Sequence, residues 1–283
     1  MKSLAIIALL SMFTVQLYSQ IITGKVVDSS NGEPLGYVSI GVINTSLGAI
    51  TNEKGNFKID VNGQSPKDIV RISMISFKPQ TFTIEELSLK ENTIKLIASP
   101  TQLAEVIVKP NGTSTEIGTN SYSWHGGFCG WGGTQFGKGN EIGTRIKLGT
   151  LAVRLKSLHI RLYKQSFDSS LFRLHIRTIA NNLPLDELLN DNILIVVVKK
   201  SGWVDIDLSK YNLVFSGDIA LTLEWVKVNG INTDRLITVN GFKGLNVLFN
   251  VKKGEGCTYV KWGVEAKWKL ENNESPSFYV TVQ

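Results

Sequence analysis

Apolar and polar residues alternate along most of this chain in short runs, the period-two pattern of half-buried β-strands. After the turn at residues 52–55, for example, Phe57, Ile59 and Val61 repeat at every second position. Between residues 20 and 110 the pattern predicts about seven short strands, with the spacing of a small β-sandwich. The candidate strands are 22–27, 37–43, 57–61, 69–75, 81–84, 92–97 and 106–108, and 48–51 leads into the turn.

A second and longer series of strands follows residue 120. The polar segment 111–119, which begins with Asn111 and Gly112, predicts a linker before it. Ten candidate strands and one helical turn at residues 185–189 predict a larger sandwich. The strands are expected at 145–148, 151–163, 171–179, 193–198, 203–208, 219–226, 236–239, 245–251, 263–270 and 278–282. The predicted fold class is all-β, with two β-sandwich domains at 20–110 and 120–283.

The first 19 residues have the pattern of an export signal. Lys2 precedes an apolar run at residues 4–15, and the small residue Ser19 ends the segment, so cleavage before Gln20 is expected. No later stretch approaches the roughly 18 uninterrupted apolar residues of a transmembrane helix. We therefore expect an exported protein with no transmembrane helix in its mature chain.

Composition supports a folded protein and argues against nucleic acid as its partner. Of 283 residues, 42% are hydrophobic and 19% are charged, which is a globular balance. Residues 20–110 carry nine Lys and Arg against nine Asp and Glu, whereas residues 111–283 carry 20 against 15. This modest excess is not clustered as in nucleic-acid binders, and export disfavours such a partner further. This positive charge suits an acidic polysaccharide or an anionic envelope surface as partner, or it serves solubility alone.

The sequence contains two cysteines, Cys129 and Cys257. Both lie among glycines in predicted turns, where a sandwich can bring distant loops together. Because an isolated pair in an oxidising compartment is more often bonded than free, we predict a disulfide between them.

The segment from residue 24 to residue 108 resembles the carboxypeptidase-like regulatory domain, a transthyretin-like β-sandwich. The resemblance rests on the ordered segments Gly24-Lys-Val-Val-Asp28, Glu33-Pro-Leu-Gly36, Gly48-Ala-Ile-Thr-Asn-Glu-Lys-Gly-Asn-Phe57, Ile72-Ser-Met-Ile-Ser-Phe-Lys78 and Leu103-Ala-Glu-Val-Ile-Val108. Asn52 and Phe77 depart from the family pattern, in which Asp and Gly are commoner. The domain carries no catalytic residues in zinc carboxypeptidases, and it occurs in many Gram-negative envelope proteins. The resemblance therefore implies a folding or docking module, in the periplasm or at the outer membrane, or secreted.

The larger region is similar to jelly-roll domains of exported bacterial proteins. The segments that carry this similarity are 172–177, 184–189, 202–208 and 221–225. It implies a β-sandwich and assigns no functional residues.

Several common chemistries are disfavoured by spacing. His125, His159 and His175 are the histidines of the chain, and none belongs to a zinc-binding motif on one helix face. The glycine-rich segment 132–138 approaches a phosphate-binding loop, but Gly139 stands where that loop needs a hydroxyl group. We therefore expect no catalytic residue, no metal and no cofactor.

Two predicted strands each carry basic side chains on one face. In 171–179 the basic residues occupy alternate positions, and 151–163 repeats the pattern with a phase slip at Ser157 that resembles a β-bulge. If these strands are neighbours, seven side chains share one outward face and suit an anionic partner, although a merely solvated face is the alternative. They are Arg154, Lys156, His159, Arg161, Arg173, His175 and Arg177.

A second candidate surface lies on strand 203–208. Trp203, Asp205 and Asp207 occupy alternate positions and so point to one face, where a ring and two carboxylates could contact a sugar. A pair of acids across a cleft could also hydrolyse a glycosidic bond, but these two are neighbours about 7 Å apart on one strand.

These observations predict a non-enzymatic exported envelope protein that acts as a binding or structural module through its C-terminal sandwich. Its expected partner is an envelope protein or an anionic glycan. A carbohydrate-binding protein of a glycan-uptake system is one alternative, and a glycoside or other hydrolase is another.

Overall fold

The computed structural model describes residues 20–89, 92–99, 113–124, 127–132, 138–231, 235–239 and 242–283. These residues form two all-β domains, as the sequence predicts. The predicted signal segment 1–19 and the candidate strand 106–108 lie outside them. Within the described ranges, no helix is both long and apolar enough to cross a membrane.

The small domain contains eight strands and one short helix among its described residues. They are β1 (Ile21–Asp28), β2 (Ser39–Val42), β3 (Gly48–Ile50), β4 (Asn56–Asp60), β5 (Ile69–Ser73), β6 (Phe77–Lys78), β7 (Gln80–Thr83), α1 (Ile84–Ser88) and β8 (Asn92–Ala98). Two four-stranded sheets result, in the orders β4-β1-β8-β6 and β3-β2-β5-β7. Alternate apolar residues of both sheets, such as Val26 and Ile40, pack into one core between them.

The helix α1 replaces the end of the strand predicted at 81–84. The Thr83 side chain accepts a hydrogen bond from the backbone N–H of Glu86, and the Glu86 carboxylate accepts one from the backbone N–H of Thr83. This capping box starts a helix directly after β7, and the helix buries Ile84 and Leu87 in the small core.

The larger domain contains strands β9 to β23 among its described residues. They are β9 (Thr115–Gly118), β10 (Phe128–Gly132), β11 (Glu141–Lys147), β12 (Val153–Gln165), β13 (Phe167–Ala180), β14 (Leu183–Glu187), β15 (Leu194–Val197), β16 (Gly202–Asp207), β17 (Val214–Phe215), β18 (Asp218–Ile231), β19 (Ile237–Val239), β20 (Phe242–Gly244), β21 (Asn246–Lys261), β22 (Lys269–Pro276) and β23 (Phe278–Val282), with a 3-10 turn at Ser209–Tyr211.

One continuous hydrogen-bonded path connects most of these strands, in the order β14-β13-β18-β11-β21-β12-β23-β9. β16 and β17 also pair with β12, β10 and β22 pair with β21, and β15 pairs with β13. The path folds back on itself, because inward residues of β12, such as Leu158, and of β13, such as Phe172, share one core cluster. The larger domain is thus built in two layers.

Three further local predictions are wrong. Residues 263–268, predicted as most of a strand at 263–270, form a turn in which the Ala266 N–H donates to the Gly263 carbonyl, and the Glu265 carbonyl accepts from Asn44 of the small domain; β22 begins only at Lys269. Residues 185–189 do not form a helical turn, because β14 (Leu183–Glu187) pairs with β13 and places Glu187 opposite Arg177. Its Pro184 is tolerated because β14 ends the path of strands. Within the segment predicted as a linker, Thr115–Gly118 form β9, which pairs with β23 at the other end of the path.

The predicted bulge in β12 is confirmed. The pairing with β23 shifts register between Leu155 and Ser157, so Lys156 is an extra residue. Leu155 and Leu158 are three positions apart and are nevertheless both fully buried, because the bulge restores the inward phase.

Candidate functional site

The outward face of β12, β16 and β23 carries the candidate ligand surface. Their antiparallel register places His159 between Asp205 on one side and Tyr279 on the other, and it places Arg161 opposite Trp203. Since directly paired residues point to the same side of a sheet, these side chains form a continuous outer row. We call the following set the Trp203 surface: Tyr122, Trp124, His159, Arg161, Trp203, Asp205 and Tyr279.

Ring contacts connect the Trp203 surface from end to end. The Arg161 guanidinium carbon lies 4.0 Å from the centre of the Tyr122 ring and 5.7 Å from that of Trp203. Trp203 meets Tyr279 edge to face at 5.2 Å, and Trp124 stacks on Tyr122 at 6.4 Å. Cation–π and edge-to-face contacts of this kind hold the rings in fixed positions.

His159 fixes the other end of the surface. Its ring stacks on Tyr279 at 4.2 Å, and its Nδ1 lies 2.6 Å from Oδ1 of Asp205. Its Nε2 lies 2.9 Å from the Thr281 hydroxyl. Both ring nitrogens therefore have partners on neighbouring strands, which orients the imidazole and holds Tyr279 in place.

The segment that carries Tyr122 and Trp124 is tied to the sheet on both sides. The backbone carbonyl of Ser121 accepts a 2.7 Å hydrogen bond from the Ser277 hydroxyl. The backbone N–H of Ser123 donates to the carbonyl of Val251 at 3.0 Å. These bonds keep Trp124 in a raised position, where 79% of its surface is exposed.

The structure brings together four of the sequence-predicted site residues and separates the others. His159, Arg161, Trp203 and Asp205 meet on the Trp203 surface. Asp207 instead accepts a 2.8 Å hydrogen bond from the backbone N–H of Ser209, the first residue of the 3-10 turn. Lys156 is the extra residue of the bulge in β12, and Arg154 precedes it by two positions. Both side chains are partly exposed.

The prediction that seven basic residues share one outward face is wrong. In the path of strands, β18, β11 and β21 separate β12 from β13. Arg173, His175 and Arg177 do lie on one face of β13, yet they are only 1%, 7% and 9% exposed. The small domain covers that face, and buried glutamates neutralise it.

These buried charges form what we call the junction cluster: Glu141, Arg173, His175, Arg177, Glu187 and Glu224. Arg173 donates to Glu224 at 2.7 Å, and Arg177 pairs with Glu141. His175 has Nδ1 at 2.5 Å from Glu187 and Nε2 at 3.2 Å from Glu224. Because both imidazole nitrogens face carboxylate oxygens, the geometry favours the doubly protonated ring.

The small domain completes the junction cluster. The Ser39 hydroxyl lies between Arg173 and Glu224, at 3.0 Å and 2.9 Å. Arg173 also donates to the backbone carbonyl of Tyr37. Beside the cluster is a cavity of about 520 Å³, lined in part by Arg71 and Glu265, which pair at 3.5 Å across the two domains. The ionic groups named here are partnered with one another, so this region acts as a joint between domains.

The cluster shifts the pKa values of its members. Burial alone raises the pKa of Glu224, but the Arg173 charge and the hydrogen bond with His175 outweigh it and lower that pKa to about 2. Likewise the charges of Arg177 and Lys261 overcome burial and hold the pKa of Glu141 well below its usual range. Burial and the Arg177 charge lower the pKa of His175, but Glu141 and Glu187 prevail and raise it.

The predicted disulfide is wrong. Cys129 and Cys257 are both free. Cys129 lies on β10 opposite Phe249, whereas Cys257 pairs with Asn272, eight residues farther along β21. The glycines at 254 and 256, expected in a turn between strands, instead lie inside β21, where the pairing register shifts.

Sequence reasoning missed two groups of site residues. Tyr122 and Tyr279 belong to the Trp203 surface, and only the pairing of separate strands could have placed them there. Glu141 and Glu187 belong to the junction cluster. The sequence does contain one indication of the junction cluster: Glu224 lies in the apolar strand β18, and a buried acid requires a basic partner. The predicted site residues include no metal ligand, and His125 lies outside the described residues. In the described ranges, no group of three or more potential ligands could hold a metal ion.

The small domain matches a known protein family. Residues 22–108 match the family model of the CarboxypepD_reg-like domain, so the chain consists of this domain followed by a larger β-sheet region. None of the curated proteins matches the chain.

Three solved structures align along most of the chain. One contains the cysteine protease and lectin-like domains of Cwp84, a surface layer associated protein of Clostridium difficile; it has a TM-score of 0.38 and 11% identity and covers 95% of this chain. The chain spans 59% of the length of that structure. A clostridial Cwp84 after propeptide cleavage also gives 0.38 and 11%, covering 93% of this chain and 70% of its own. An infectious bursal disease virus structure gives 0.23 and 9%, covering 93% and 74%.

Proposed function

We propose that this chain is a non-enzymatic carbohydrate-binding protein of the cell envelope and that the Trp203 surface contacts the glycan. The observation that carries the proposal is the arrangement of Trp124, Trp203 and Tyr279 as fixed rings on an open sheet face. Aromatic rings offer large contact areas at low entropic cost, and the polar groups of Asp205 and Arg161 beside them supply hydrogen bonds. An open row suits an extended chain of sugars better than a small enclosed ligand.

The carboxylates of this face support binding over catalysis. A glycosidase needs a carboxylic acid whose pKa is raised so that it can protonate the leaving group. Asp205 is engaged with His159, and hydrogen bonds from Ser209 lower the pKa of Asp207. Both side chains therefore suit contact with sugar hydroxyls rather than proton donation.

The export signal and the family of the small domain support the envelope as the location. The segment 1–19 has the pattern of a secretory signal, and the CarboxypepD_reg-like domain resembles modules of envelope proteins. In this proposal the small domain holds and orients the larger one, which recognises either a free glycan or the glycan of an envelope partner.

The first test compares Trp203→Ala with wild type in binding to a panel of soluble polysaccharides, measured by affinity electrophoresis and calorimetry. We expect about a tenfold or greater loss of affinity, since a central tryptophan often contributes most of the binding energy of its surface. Trp262→Ala is the matched control, because Trp262 is 44% exposed and lies outside the surface. Wild-type protein that binds no polysaccharide, or a Trp203→Ala variant with unchanged affinity, would contradict the proposal.

A further inference from the structure

Arg161 is the one residue of the Trp203 surface whose charge stays without a counterion among the described residues. Its guanidinium has neither an ion pair nor a hydrogen bond there, and its buried Nε has no partner. Asp205, the acid on the neighbouring row, bonds to His159 instead. Glu116, on β9, accepts a hydrogen bond from Asn120 at 3.2 Å.

The surroundings of Arg161 determine which of its atoms can bind a ligand. The guanidinium carbon lies 4.0 Å from the centre of the Tyr122 ring and 5.7 Å from that of Trp203, and Nε is buried, so the two terminal amino groups are the donors left for a ligand. An arginine held in this way presents two parallel donors at its edge, the geometry that matches a carboxylate. The stacking also immobilises the side chain before a ligand arrives, so less entropy is lost on binding.

We infer that the Trp203 surface selects an acidic glycan, and that Arg161 binds the carboxylate of a uronic acid unit whose sugar ring rests on Trp203. This inference rests on the proposed function and names its ligand class. The excess of basic residues in the larger domain, 20 Lys and Arg against 15 Asp and Glu over residues 111–283, favours the same ligand at long range. A sulfate or phosphate ester is the competing anion, and the affinity for dextran sulfate distinguishes it from a carboxylate.

The test uses polygalacturonate and the same polymer after chemical reduction of its carboxylates, so that only the charge differs between them. The full-length mature protein should bind the acidic polymer about tenfold to a hundredfold more tightly than the reduced one, as expected for charge-assisted hydrogen bonds. Arg161→Gln should lose that preference and retain its affinity for the reduced polymer. Arg161→Lys should retain part of the preference, because it keeps the charge and loses the paired donors.

Arg154→Gln is the matched control, since Arg154 is a partly exposed arginine of the same strand outside the surface; it should bind like wild type. Thermal unfolding of each variant checks that the sheet is intact. Equal affinity of wild type for both polymers, an unchanged preference in Arg161→Gln, or tighter binding of dextran sulfate than of polygalacturonate would overturn the inference while leaving carbohydrate binding in place. Binding to neither polymer nor to any glycan of the panel would overturn both proposals.

Discussion

Two arginines of the larger domain illustrate how neighbours decide what a charged residue does. Arg173 is buried and fully paired, with Glu224 and Ser39 as its partners. The Arg161 guanidinium lies against the rings of Tyr122 and Trp203 and has no counterion among the described residues. A buried ion pair contributes little net stability compared with an apolar pair, yet loss of one partner is costly because the other charge stays behind. Arg173 is therefore a structural residue, whereas Arg161 remains available to a ligand.

Replacing Arg173 with Met should lower the free energy of unfolding by about 3–5 kcal/mol, because Glu224 would stay buried opposite Glu141 without its main counterion. Urea denaturation followed by tryptophan fluorescence measures the change. Lys227→Met breaks the exposed pair with Glu53 and should cost far less. A loss for Arg173→Met as small as that of Lys227→Met would mean that the cluster relaxes around the missing charge.

The sequence predicts part of this residue-scale detail. Period two correctly places Arg173, His175 and Arg177 on one face of a strand. The period-two pattern cannot distinguish this buried face from a solvated one, because the groups that cover it, Tyr37 and Ser39, come from the other domain. The same limit explains why the sequence unites Trp203 with Asp205 but not with Tyr279, which reaches the surface through a strand at the far end of the chain.

Individual strands are the best-predicted elements, since most candidate segments coincide with strands of the structure. The exceptions depend on helix capping and on strand pairing, which the alternation pattern does not contain. A capping box ends β7 and begins α1. Pairing with β13 turns residues 183–187 into an edge strand. Thr115–Gly118 become a strand because the uncovered edge of β23 pairs with them.

The capping box of α1 gives an element-scale prediction. Thr83→Ala removes the side chain that accepts the hydrogen bond from Glu86, and it should lower the free energy of unfolding of the small domain by about 1 kcal/mol. Thr83→Ser keeps the hydroxyl group and should behave like wild type. Denaturant unfolding of the full chain, monitored by amide hydrogen exchange in residues 84–88, tests both. Equal exchange rates in Thr83→Ala and Thr83→Ser would show that packing of Ile84 and Leu87 alone holds the helix.

At the scale of the whole molecule, the two domains are joined by charges as well as by chain connection. Glu53 pairs with Lys227, Arg71 pairs with Glu265, and Ser39 enters the junction cluster. Each domain also has its own apolar core. The orientation of the Trp203 surface relative to the small domain is therefore set by polar contacts whose strength depends on ionisation.

Stability should consequently depend on pH in both directions. The pKa of Glu224 is lowered by folding from 4.5 to about 2, so its contribution is complete above about pH 4.5 and is lost as the pH falls toward 2. The pKa of His175 is raised above 6.5, so its contribution is complete below about pH 6.5 and is lost as the pH rises through the folded value. The free energy of unfolding should be greatest between these limits.

Urea titrations across the pH range measure this profile. His175→Gln should remove the decline on the alkaline side and leave the acidic side, which depends on Glu224, Glu141 and Glu187. His159→Gln is the matched control, because His159 lies on the opposite layer and its ring nitrogens contact Asp205 and Thr281 rather than the junction cluster. An alkaline decline that persists in His175→Gln would assign it to another group.

The bulge at Lys156 determines which residues of β12 face the ligand surface. Leu155 lies before the extra residue and Leu158 after it, and both point inward only because one residue is left out of the alternation. If all three steps between them were paired regularly, without the bulge, the odd number would turn one half of β12 over. In the half that bears His159 and Arg161, this change would point both side chains into the core and leave the rings of Trp203 and Tyr279 facing solvent without their central partners. The outer surface of this protein therefore depends on the number of residues along one strand as much as on their identity.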